Sequence, residues 1–143
     1  WYTKTGKKYL TIPPGCEYPI WPSLGEEFML QPVENTVILK LEIPEGQYLI
    51  CNMKGWDYRV NYWYVPLDQE DDKKHKEELK RYGIASEDEL VTGRKGEFYP
   101  MLKRKITGSW ERIFTVPPDT EENAAATAWE LRKSWVREVR RYE

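Results

Sequence analysis

Hydrophobic and polar positions alternate most regularly between Thr36 and Ile43. Val37, Leu39, Leu41 and Ile43 interleave with Ile38, Lys40 and Glu42, and a period near two predicts a strand. Pro44-Glu45-Gly46 is turn chemistry, with proline fixing φ and glycine tolerating positive φ. Gln47 to Cys51 then reads as the second strand of a hairpin. From Asn52 to Val65 the period changes. Trp56, Val60, Trp63, Tyr64 and Leu67 fall on one face at helical spacing, with Tyr58, Tyr62 and Val65 on a neighbouring stripe. Asn52 is placed to cap this helix, and Pro66 cannot continue it. The pattern therefore makes Val60 and Trp63 core residues.

Flanking segments are less regular. Tyr9 to Ile12 and Glu27 to Gln31 read as short strands among prolines. Glu70 to Tyr82 reads as a charged helix, with Asp72/Lys76 and Glu77/Arg81 as i,i+4 pairs and Gly83 at its C′ position. Ser86 to Glu89 resembles a capping box before Leu90 and Val91. Met101, Leu102 and Ile106 among Lys103, Arg104 and Lys105 predict a short amphipathic piece, followed by the SWERIF block, Ser109 to Phe114. The tail from Asp119 supports two readings. Leu131, Trp135, Val139 and Tyr142 form a helical stripe, whereas Thr127, Trp129 and Leu131 alternate as in a strand.

These elements predict a single α+β domain, residues 1–143, with a small, mostly antiparallel sheet centred on Thr36–Cys51 and packed by the aromatic helix. Composition sharpens the picture. Seven Trp and ten Tyr stand in a chain of only 40% apolar content, so much of the core must be rings whose polar handles need partners. The net charge of −2 does not favour nucleic acid as a partner. Residues 1–93 hold 11 basic and 16 acidic side chains, and residues 94–143 hold 11 and 8, so the later segment suits an anionic partner better. Cys16 and Cys51, with no export signal, fit a reducing cytoplasm. The absence of an apolar run near eighteen residues predicts no membrane span.

Several chemistries lack their residues. His75, the only histidine, sits in the run Lys73-Lys74-His75-Lys76, where a solvated, dispensable side chain is expected and a general base is not. Two cysteines and one histidine make no zinc site, and neither phosphate-binding glycine fingerprint is present. No catalytic residue, metal ligand or cofactor is expected. What remains is rings beside cations and amides. Arg59, Asn61, Tyr62, Trp110 and Arg112 supply a stacking surface, amide groups and cations, the set a nucleotide-like ligand requires. In the competing reading Trp110 and Ile113 pack on Trp56 while Glu111 and Arg112 face water.

Four blocks, Leu39 to Pro44, Trp56 to Tyr64, Ser109 to Phe114 and Trp129 to Val136, resemble an uncharacterised family of bacterial and phage proteins known only as a domain of unknown function. The resemblance covers about residues 36–140. Trp56, Val60, Asn61 and Tyr64 fit a W-x-x-V-L-N-x-x-Y block loosely, with one residue fewer between Val60 and Asn61. By analogy the family layout is similar to ADP-ribosyltransferase-like α+β folds. That analogy turns the tail into a strand and places Ala125 where a catalytic Gln or Glu would stand. The expected function is accordingly non-enzymatic capture of a nucleotide-like small molecule, in a phage-encoded setting one that counteracts host defence signalling. The alternatives are an NAD-using transferase and a protein–protein inhibitor with exposed aromatic hot spots. Oligomeric state is left open.

Overall fold

The computed structural model describes residues 1–143 and is an α+β fold. In chain order it runs α1 (Tyr2–Gly6), β1 (Thr36–Leu41), β2 (Leu49–Asn52), α2 (Met53–Val60), α3 (Gln69–Arg81), α4 (Asp88–Thr92), α5 (Lys95–Phe98), α6 (Pro100–Ser109), α7 (Arg112–Thr115), β3 (Ala124–Thr127) and β4 (Val136–Tyr142). Two compact units divide it: residues Trp1–Ile50 with Ala124–Glu143, and residues Cys51–Asn123. No helix is long and apolar enough to cross a membrane.

The first unit is built on long-range strand pairs. β1 lies antiparallel to β4, in register from Thr36↔Tyr142 through Leu39↔Val139, with an irregularity at Lys40/Leu41. β2 pairs with β3, and Ile20 bridges Ala128. The expected hairpin between residues 36–43 and 47–51 is therefore not formed. The Pro44 turn is present, with Gln47 N–H donating to the Pro44 carbonyl at 3.1 Å. The partners, however, come from the tail, where Val136 and Val139 continue the apolar alternation opposite Leu41 and Leu39. Both tail segments are strands, and the local helix signal is overridden by this pairing.

Near the chain start the expected strand at residues 9–12 is replaced by α1 and its following turns, in which Leu10 N–H reaches the Gly6 carbonyl at 3.0 Å. The expected strand at 27–31 is replaced by a 3-10 turn at Glu26–Phe28. α1 is held by its buried side chains. The Tyr2 ring stacks on Trp129, with centroids 6.0 Å apart, and its hydroxyl lies 3.0 Å from Thr127 Oγ1. The Trp129 indole N–H donates to Thr3 Oγ1 at 2.9 Å.

In the second unit Tyr64, Val65, Leu79, Ile84, Leu90, Leu102, Ile106 and Trp110 form one apolar cluster. Asn52 caps α2 as expected, its Oδ1 accepting from Gly55 N–H at 3.0 Å. The helix stops earlier than its pattern suggests. Asn61 Nδ2 donates to the Asp57 carbonyl at 2.8 Å, and Tyr62 adopts φ 61, outside the helical region. Everything after that point leaves the helical register. Tyr64 and Val65 go inside, while Val60, Trp63 and Leu67 are exposed, which reverses the expectation that Val60 and Trp63 are core.

α3 falls within one residue of its expected span. Asp68 caps it, Lys76 bonds Asp72 at 2.5 Å, and Gly83 takes φ 67 at the end. The capping box at Ser86 does not form. The Ser86 hydroxyl bonds the Asp88 carboxylate instead, and Glu87 turns to another partner.

Candidate functional site

The site grows from the break after α2. Trp110, at the end of α6, is 5% exposed, and its indole N–H donates to the Trp63 carbonyl at 2.8 Å. Arg59, on the last turn of α2, lays its guanidinium over the Trp110 ring at 4.6 Å and over Tyr62 at 5.7 Å. The Tyr62 and Trp110 centroids are 6.3 Å apart. Burial lowers the Arg59 pKa, with the Tyr62 phenol opposing that shift. Three of the five expected site residues, Arg59, Tyr62 and Trp110, thus converge. The ring face expected to stack a ligand already carries a cation of its own chain.

The other two serve structure. Asn61 closes α2. Arg112, at the start of α7, points Nη1 at the Val65 carbonyl (2.6 Å), the Tyr64 hydroxyl (3.0 Å) and Asp71 Oδ2 (3.1 Å). Asp71 also accepts from the Tyr64 hydroxyl and from Leu67 N–H, each at 2.9 Å. Burial pushes the Asp71 carboxyl up, but these donors and the Arg112 charge outweigh it and hold the group below its ordinary value. Burial raises the Tyr64 phenol, against a smaller opposing pull from Arg112.

Beside this cluster lies a cleft of about 670 Å³. Tyr58, Trp63 and Tyr64 line it, together with Asp72, Lys76 and Lys80 from α3 and the stretch from Gly83 to Glu87. Trp63 is 44% exposed there and meets Tyr58 edge-on, with centroids 6.0 Å apart. Lys76 is neutralised by Asp72, whereas Lys80 forms no ion pair.

Next to Tyr64 lies the chain's single histidine. His75 is 1% exposed, correcting the expectation of a solvated side chain. Its ring stacks on Tyr64 at 4.1 Å and 22°, and its Nε2 lies 3.3 Å from Glu87 Oε1. The two groups are close, but neither ring nitrogen meets a partner in hydrogen-bond geometry. The other Glu87 oxygen accepts from Tyr64 N–H at 2.6 Å. Sequence reasoning missed His75, Glu87 and the cleft. One signal pointed to the histidine: Leu79 lies four residues further along α3, so both sit on one stripe, and both are buried.

The first unit has a cleft of about 820 Å³ with largely apolar walls, including Ile20, Leu24, Leu39 and Ile50. Its arginine, Arg140, is held by Glu26 and Glu138 at 2.7 Å each, and Lys40 also lines the cleft.

No curated protein and no solved structure matches the chain. The family described as Domain of unknown function (DUF3841) matches residues 1–137, and the chain belongs to that family.

Proposed function

We propose that the Cys51–Asn123 unit captures a small nucleotide-like molecule without chemically altering it. One observation carries the reading: an indole, Trp63, stands 44% exposed against Tyr58 at a cleft that also offers an unneutralised lysine. A large exposed ring is costly to leave in water and well suited to stack a base. Lys80 supplies a charge for phosphate, and Ser86 and Glu87 supply polar groups for the base or sugar edge. The site thus lies beside the Arg59–Tyr62–Trp110 group, which holds the Trp63 backbone in place through the indole of Trp110. Cys16 and Cys51 are not joined in a disulfide, which fits a reducing, cytoplasmic setting.

Calorimetric titration with NAD, ADP-ribose, GMP, AMP and short cyclic and linear oligonucleotides tests this. At least one should bind, and Trp63→Ala should weaken it about ten- to a hundredfold, the loss of one stacked base at ~1–3 kcal/mol. If none binds the wild type, the reading is wrong and a protein partner recognised through exposed aromatics takes its place.

The transferase alternative draws on one feature. Ala124–Thr127 is a strand, as the ADP-ribosyltransferase analogy expects, but Ala125 offers no carboxylate or amide there. Capture therefore remains the favoured function.

A further inference from the structure

We infer that Glu87 is the residue that selects the ligand, accepting from a pair of adjacent hydrogen-bond donors, and that His75 positions it. This rests on the capture reading above. Glu87 lines the cleft and is clamped from within the protein. Its Oε2 takes the Tyr64 N–H at 2.6 Å, and its Oε1 lies 3.3 Å from His75 Nε2. His75 is itself pinned, being buried and stacked on Tyr64. Tyr64 in turn is tied to Asp71 and Arg112. A surface glutamate samples many rotamers, whereas this one is tied at Oε2 by the Tyr64 N–H and flanked at Oε1 by the buried His75 ring.

A carboxylate has about four acceptor sites and no donor when ionised. Two sites face Tyr64 and His75, which leaves roughly two for a ligand. Such a group rejects phosphate, accepts a pair of adjacent donors, and is mismatched with an edge that alternates donor and acceptor. Two parts of a nucleotide fit: the two N–H groups on the base-pairing edge of guanine, or the vicinal hydroxyls of ribose. Adenine presents one donor beside an acceptor. Lys80, on the α3 side of the same cleft, then takes the phosphate end, so the two charges fix the ligand's direction. A buried imidazole without hydrogen bonds is costly, and holding the carboxylate is the role this placement supports.

The test is titration of wild type, Glu87→Gln, His75→Phe and Trp63→Ala with GMP, AMP and 2′-deoxy-GMP. Glutamine keeps an acceptor for Tyr64 N–H but presents a donor in place of the second acceptor. Glu87→Gln should lose at least tenfold in affinity for the preferred nucleotide. GMP favoured over AMP assigns the guanine edge, whereas equal binding of both with a loss on 2′-deoxy-GMP assigns the ribose. His75→Phe keeps a stacking ring and should lose part of the same discrimination. In the wild type, the imidazole ¹⁵N resonances of the sole histidine should move on saturation with GMP. If Trp63→Ala weakens binding while folded Glu87→Gln binds as the wild type does, this inference fails and the capture reading stands. If wild type binds GMP and the imidazole resonances stay still, the positioning role of His75 fails. If no nucleotide binds at all, the capture reading fails first.

Discussion

At the scale of single residues, burial and spacing part company after Val60. Trp63 sits on the helical stripe that runs through Trp56, yet Tyr62 turns the chain at φ 61 and leaves Trp63 outside. Trp63→Ala should therefore cost under about 1 kcal/mol in a urea melt, the usual range for a partly exposed site. His75→Ala should cost ~2–4 kcal/mol, because it removes a stacked ring from a closed space. Arg112 belongs to the same revision. Arg112→Ala should lower stability by ~1–3 kcal/mol, since the Val65 carbonyl and Asp71 lose a charged donor; an unchanged melt would mean those contacts contribute nothing. The depressed Asp71 carboxyl gives a pH signature. A folded value below the unfolded one, near 3.9, adds stability that is present above about pH 4 and is lost as pH falls through the folded value. Stability measured from pH 5 downward should fall less steeply in Asp71→Asn than in the wild type.

Elements were legible where their causes are local. Asn52 as a cap, the i,i+4 pair Asp72/Lys76 and Gly83 at a C′ position are short-range chemistry, and all three are present. β1 was legible as a strand because its period is intrinsic, but its partner was not. Pairing is decided by which other strand completes an apolar face, and Val139 opposite Leu39 lies far along the chain. The tail stayed open between helix and strand for the opposite reason, its alanines and leucine having good helix propensity that tertiary pairing overrode. Of the candidate site, the convergence of Arg59, Tyr62 and Trp110 follows from ring and cation chemistry. Glu87 was hidden because its partners, Tyr64 and His75, meet it only through the fold. Glycine at 96 was likewise unreadable. A Cβ there would stand 2.1 Å from the Leu90 carbonyl oxygen, so α4 and α5 approach only because residue 96 has no side chain. Gly96→Ala should destabilise by ~1–3 kcal/mol or more, read as a lower urea midpoint with an unchanged slope.

At the scale of the whole molecule, the units differ in how the chain supplies them. The second is one continuous stretch, Cys51–Asn123, and its two ends are clasped to each other. Asn123 O accepts from Met53 N–H at 2.9 Å, its Oδ1 accepts from Lys54 N–H at 2.6 Å, and its Nδ2 donates to Asn52 Oδ1 at 3.1 Å. A fragment of residues 51–123 should therefore unfold cooperatively on its own, and a featureless melt would show that it depends on the rest of the chain. The first unit cannot be cut out so simply, because β1 needs β4.

That dependence also sets an order in time. As the polypeptide leaves the ribosome, β1 emerges with an unpaired apolar edge, and its mate, β4, follows only after the whole Cys51–Asn123 unit has been made. The intervening unit can close while β1 waits, and its joined ends then shorten the connection between the two strands, lowering the loop-closure cost of their pairing. Stalling synthesis before Val136 should leave the Cys51–Asn123 unit folded and the β1 edge exposed to aggregation.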